Sequence, residues 1–323
     1  MTRTRALALL LVFGCSSKSE APAPAPTPPP PPPPRPVDAP PLAPGTVLRE
    51  RSLAQDPDSL VVTPNAIYFS SLSAGVFMLR DGTANKLDGH WATGIVGDDD
   101  AFYYVARTNN EDGRLMRMPY VGEPKQLAEW NGRVRGVDDT HVYVQASGDR
   151  AAIKLPKAGG DPLTLPCKSG MAVDRDWLYC LERGELARYD KTGQGRAVLG
   201  SLPKLWFRDG PVLTDRYVYA STEASNGAFG WNIVRMPRGG GEVEVVSPDA
   251  GHIYELTAAG NEAYWAESKH PSSRKMVVRR MGDADPAPSD FADGFGYVRA
   301  IVVGATTVFV ADSNPARIVE LKR

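Results

Sequence analysis

A seven-residue hairpin signature returns seven times in this chain, and it limits the fold more than any other feature. The clearest copies are Val62–Tyr68, Val137–Tyr143 and Val173–Tyr179, each an apolar residue, a polar turn, then Ile/Val/Leu and an aromatic. Gly97–Tyr103, Leu213–Tyr219, Ala258–Tyr264 and Val303–Phe309 complete the series. Each copy reads as two antiparallel β-strands joined by a tight turn. From Tyr68 to Phe309 the closing aromatics are about forty residues apart, and helical periodicity is almost absent between them. A third strand follows each hairpin, most clearly at Leu115–Pro119, Ile153–Pro156 and Ile233–Pro237. A Pro/Gly turn and an outer strand such as Pro162–Leu165 or Glu242–Val246 then end the unit. Four strands per forty-residue unit predict an all-β, seven-bladed β-propeller of four-stranded antiparallel blades.

The two ends agree with a closed ring. After Phe309 there is room for one further strand, Arg317–Leu321, so the last blade lacks its outer strand. Residues 46–52 align with Glu242–Ser247 and supply it, which hides the sheet edges that an open array would expose. Val137-Asp138-Asp139 with Val142-Tyr143-Val144, Phe102-Tyr103-Tyr104 and Ala263-Tyr264-Trp265 carry a family resemblance. With these residues, 46–323 resembles YWTD-type propellers and related bacterial envelope lipoprotein propellers, although no intact Tyr-Trp-Thr-Asp tetrad occurs. The resemblance implies a binding or scaffolding role and leaves the partner open, because propellers host many functions.

Ahead of the ring, Arg3 and Arg5 precede an eight-residue apolar run, Ala6–Phe13. That run is far shorter than the ~20 residues of a membrane-spanning helix and reads as a signal-peptide core. Leu11-Val12-Phe13-Gly14-Cys15 resembles the lipobox of bacterial lipoproteins, which implies a signal peptide over 1–14 and lipidation at Cys15. Ser16 follows the cysteine where an inner-membrane retention signal would place Asp, so the resemblance favours the outer membrane. Of the 29 prolines, fourteen fall between Pro22 and Pro44. Proline removes amide donors and locks φ, so within the expected tether of residues 15–45 the stretch Ala21–Gly45 reads as a polyproline II spacer of roughly 70 Å, or as a ligand for a proline-recognition domain.

With 37 Lys+Arg against 38 Asp+Glu, no global field draws the chain to nucleic acid, and contact with a membrane is expected through the lipid anchor only. The four histidines, His90, His141, His252 and His270, lie in separate units, and no zinc-type spacing, nucleophile elbow or phosphate loop occurs. No catalytic residue, metal or cofactor is therefore expected. Asp98-Asp99-Asp100 and Asn109–Gly113 carry enough oxygens for Ca²⁺, but they sit at hairpin turns where Asp and Asn are ordinary turn formers. Cys167 and Cys180 flank the fourth hairpin. The turn between them puts them nearly opposite across two antiparallel strands, where they form either a disulfide or two buried thiols.

Propeller ligands usually meet the face where each outer strand crosses to the next inner strand. The candidates there are Trp91, Arg133, Arg135, Lys168, Arg208, His252, Tyr254, Tyr297 and Arg299, facing Asp58 and Asp209. The longest second-to-third-strand loops, Ser221–Trp231 and Glu267–Lys275, flank that face. Rings and cations around one opening suit an anionic or sugar-like ligand or a protein loop; the alternative is an ordinary polar rim. The expected function is a monomeric, lipid-anchored envelope protein that binds a protein or glycan. The alternative is a lyase or hydrolase acting on an extracellular saccharide or peptide, with His252 held beside a carboxylate and a Tyr or Arg.

Overall fold

A computed structural model describes residues 42–108, 112–146, 151–182, 184–202, 210–223, 230–270 and 273–323. Cys15 and the expected tether as far as Pro41 lie outside the described residues, as do Arg208, Asp209, Asn109–Glu111 and parts of the two long loops. The described chain forms seven four-stranded antiparallel sheets and contains no helix. Six sheets run in chain order from the axis outward: blade 1 (59–88), blade 2 (91–129), blade 3 (132–164), blade 4 (170–201), blade 5 (212–247) and blade 6 (252–295). Blade 7 has three strands from 298–322, and the N-terminal strand Val47–Ser52 pairs with its edge strand Ala316–Lys322. Glu50 and Arg51 reinforce that closure through Arg317 and Glu320, both at 3.1 Å. Gly45, at φ +79°, packs closely against the backbone carbonyl of Phe291, a conformation and a space that a side chain would not tolerate.

The second strand of each blade is where the recurring aromatic earns its place. A blade is covered on both faces by its neighbours, so this strand reads as a continuous apolar run and not as an in–out alternation. Phe102, Tyr103, Tyr104 and Val105 are all fully buried. The core divides into seven clusters, one in each seam between adjacent blades. The Cys167–Cys180 disulfide is present, with Cα atoms 5.0 Å apart. It is not the cross-strand pair the sequence suggested: the register places Cys180 opposite Met171, and Cys167 sits ahead of the inner strand, where its carbonyl accepts the Ala152 N–H. The bond therefore ties blade 4 to the segment arriving from blade 3.

On the face bearing the hairpin turns, here the turn face, four of the seven seams carry a charged clasp. An acid of one blade meets the residue that follows the third strand of the next. Lys157 pairs with Asp98 at 2.6 Å, Lys191 with Asp138 at 2.7 Å, and Arg323 with Glu262 at 2.8 Å. Arg238 pairs with Asp174 in the same way. Tyrosines of the second strands complete the clasps: Tyr143 donates to Asp138 at 2.6 Å and Tyr264 to Glu262 at 2.8 Å. Lys157, Lys191 and Arg238 also lie over the rings of Tyr103, Tyr143 and Tyr179.

Candidate functional site

The opposite side is the crossover face, where outer strands hand over to the next inner strands. The inner strands do not run straight. Their ladders slip by a residue between Val134 and Gly136 in blade 3, between Ile253 and Glu255 in blade 6, and between Val298 and Ala300 in blade 7. The residues skipped are Arg135, Tyr254 and Arg299. β-Bulges of this kind re-aim a side chain and strengthen the local twist. Tyr254 and Arg299 stand at equivalent positions, each three residues before the one paired with its blade's aromatic, whereas the slip at Arg135 lies nearer the turn, as does one between Thr93 and Val96 in blade 2.

Around them, the rings form a ladder over three blades. Trp231 of blade 5 meets His252 edge-on with centroids 6.2 Å apart, and His252 meets Tyr254 at 5.0 Å. Tyr254 reaches Tyr297 at 4.8 Å, and the Arg299 guanidinium lies 4.3 Å above the Tyr297 ring. A planar guanidinium stacked in this way is pre-oriented to present its N–H edge to a carboxylate or phosphate. Four of the nominated residues are therefore brought together, and Trp231 joins them from the end of a long loop.

Arg133 and Arg135 face elsewhere, into an axial cavity of about 360 Å³ bordered by all seven inner strands. Glu255 and Thr257 share its lining, so it is polar and carries both signs of charge. Gly94 takes φ +62° beneath the Arg133 side chain, where a Cβ would collide with the Arg133 stem. Trp91 and Lys168 stand on blades 2 and 4, away from the ladder. Trp91 is 45% exposed, and the Lys168 carbonyl accepts from Gln145 Nε2 at 2.9 Å. Asp58, at the start of blade 1, donates its backbone N–H to Ser70.

A close histidine–carboxylate pair stands at His90. Beside Trp91, His90 Nδ1 lies 2.6 Å from Asp88 Oδ1, and the His90 backbone N–H donates to the same oxygen at 2.9 Å. The buried Tyr104 hydroxyl donates to Asp88 Oδ2 at 2.7 Å. Burial alone would raise the Asp88 carboxyl, but these donors outweigh it and hold the group below the usual carboxylate range. A fixed carboxylate bound to Nδ1 leaves Nε2 as the working nitrogen of a half-exposed imidazole, an arrangement suited to proton transfer. The Asp88-Gly89-His90 spacing was the available signal, since an Asp side chain readily bonds the amide two residues on. Among the described residues, no group of three or more His, Cys, Asp or Glu converges as a metal site.

No family model matches the chain, and no curated protein matches it. Solved structures do share its architecture. A streptogramin B lyase structure superposes with a TM-score of 0.62 at 14% identity, covering 85% of this chain and 96% of that one. The computationally designed Ika8 protein gives 0.58 at 12% identity over 87% and 99% of the two chains. BamB from Moraxella catarrhalis gives 0.53 at 11% identity over 82% and 84%. At such identities the likeness shows the seven-bladed propeller fold and nothing finer.

Proposed function

We propose that this chain is a lipid-anchored cell-envelope protein whose crossover face binds a protein or glycan ligand. The observation that supports this reading is the ladder of His252, Tyr254, Tyr297 and Arg299, in which bulges of blades 6 and 7 set Tyr254 and Arg299 side by side. Bulges recur where a fold commits a side chain to a task, and the two matching ones in blades 6 and 7 set neighbouring members of one ladder. Aromatic and arginine groups are also the types that concentrate binding energy. The N-terminal sequence supports the location: a signal peptide over 1–14, lipidation at Cys15, and a tether to residue 45 that holds a monomeric ring clear of an outer-membrane surface. The test is capture of partners from solubilised envelopes by the wild type and by the Arg133→Glu/Arg135→Glu/Arg299→Glu variant. Loss of specific partners supports the reading, and identical profiles contradict it.

A second reading, a lyase or hydrolase acting on an extracellular saccharide or peptide, draws on the Asp88–His90 pair beside the exposed Trp91 ring. Here His90 would move a proton and Asp88 would orient it. Turnover of saccharide or peptide pools that is abolished by His90→Gln supports it. Binding without turnover leaves the non-enzymatic reading in place.

A further inference from the structure

The turn face is not uniform. Where four other seams carry acid, tyrosine and cation, the seam between blades 1 and 2 carries Thr63, Tyr68 and Tyr120. Tyr120 occupies the position after the third strand that Lys157, Lys191, Arg238 and Arg323 hold elsewhere. Charge is replaced by three packed rings: Tyr68 lies 4.9 Å from Phe102 and 5.2 Å from Tyr120, and Phe102 lies 6.1 Å from Tyr120. The Tyr120 hydroxyl donates to the Asp98 carbonyl at 2.9 Å, and burial pushes it up to about 12, so this floor stays neutral. The Tyr68 hydroxyl has no hydrogen-bond partner among the described residues.

With no clasp to close it, this seam opens as a cleft of about 550 Å³ between Pro64, Tyr68, Tyr120 and Val121. Val121, on the adjoining turn, is 92% exposed. Across the Thr63–Ala66 turn a second groove of about 290 Å³ runs to blade 7, bordered by Arg49, Arg51 and Phe309. Arg80 borders both. Arg51 is engaged by Glu320 at 3.1 Å, whereas Arg80 and Arg49 make no ion pair among the described residues. Asp98 and Asp99 stand on the blade 2 rim of the cleft, while the second groove sets three arginines, Arg49, Arg51 and Arg80, against two acids, Asp81 and Glu320.

We propose that this pair of grooves docks an extended peptide segment of a partner protein, with an apolar side chain against Tyr68 and Tyr120 and a neighbouring carboxylate on Arg80. The cleft volume suits one large apolar side chain and the chain that bears it. A guanidinium shared by both grooves gives the carboxylate two parallel donors. An extended chain crossing the Thr63–Ala66 turn presents successive side chains to the two grooves, as extended peptides do on other surfaces. The surface lies opposite the crossover face and does not depend on that face having a ligand.

The experiment is selection of a displayed random heptapeptide library on the immobilised full chain, followed by titration of selected peptides by fluorescence anisotropy. Selected sequences are expected to set Asp or Glu beside Leu, Ile, Phe or Met. Arg80→Glu and Val121→Asp, both at exposed positions, each weaken binding about tenfold without shifting the thermal midpoint, and Arg299→Glu leaves it unchanged. The proposal is overturned by an absence of selected peptides, by selected sequences that are basic or lack an acid, by capture of a second copy of this chain in place of peptides, by binding indifferent to Arg80→Glu, or by binding lost in Arg299→Glu.

Discussion

Lys191 Nζ lies 2.7 Å from Asp138 Oδ2 across the seam between blades 3 and 4, and the Tyr143 hydroxyl donates to the same oxygen at 2.6 Å. The other oxygen, Oδ1, accepts the backbone N–H groups of Thr140 and His141. One carboxylate thus shapes its own turn and joins two blades. Asp138→Ala removes the acceptor of these four donors and of the Thr140 hydroxyl, and leaves the Lys191 ammonium without its acid. The expected cost is about 1–3 kcal/mol, read as a lower urea midpoint at unchanged slope. An unchanged midpoint would show that the clasp contributes nothing net.

The clasps also set the response to acid. Burial works to raise the carboxyls of Asp138, Asp98 and Glu262, yet hydrogen bonds and ion pairs prevail and lower all three from ordinary values of 3.8, 3.8 and 4.5. The folded state therefore favours the ionised form. This contribution is present in full above the unfolded values and is lost as pH falls through the lower folded ones. Thermal midpoints should be level from about pH 6 to 8 and should drop below about pH 4, less steeply in Asp138→Asn. A midpoint that rises on acidification, or an Asp138→Asn profile identical to wild type, contradicts this assignment.

The Cys167–Cys180 bond closes a short loop over a sequence separation of 13 residues, with both cysteines fully buried. Its chain-entropy effect is about 3 kcal/mol, so Cys167→Ala/Cys180→Ala should lower the thermal midpoint by several degrees. Reducing agent should destabilise the wild type and leave the variant unaffected. Equal midpoints for wild type and variant under oxidising conditions would sink the prediction.

Closure of the ring rests on Val47–Ser52. Deleting these residues exposes the Ala316–Lys322 edge, whose backbone groups then invite pairing with other chains. Size-exclusion chromatography is expected to show aggregation and loss of the monomer peak. A monomer with wild-type thermal behaviour would mean that blade 7 is complete without its N-terminal strand.

The architecture was legible because each hairpin is encoded within seven residues: Val137 to Tyr143 contains its strand ends, its turn and its core aromatic. The closing strand was legible for the same reason, through its match to an outer strand. Relationships between units were not. Lys191 stands 53 residues from Asp138, and its role depends on the position after a third strand in the next blade, which no local spacing announces. Asp138 consequently read as a turn former, which is half of what it does. The slipped registers at Arg135, Tyr254 and Arg299 were equally hidden, because a bulge changes pairing without changing composition. Asp88 and His90 stand two residues apart in the sequence, a spacing common in turns, and only the fold adds the Tyr104 hydroxyl that fixes the carboxylate.

The central claim is that the crossover face, and not the rim of the ring, meets the ligand. A photo-cross-linking amino acid placed at Trp91, at Arg299, or at Val198 on the outer strand of blade 4 tests it in intact envelopes. Val198 is 48% exposed, comparable with Trp91 at 45%, so exposure does not bias the comparison. The account predicts discrete adducts from positions 91 and 299 and none from 198. Adducts from 198 alone, or equal adducts from all three positions, would contradict it.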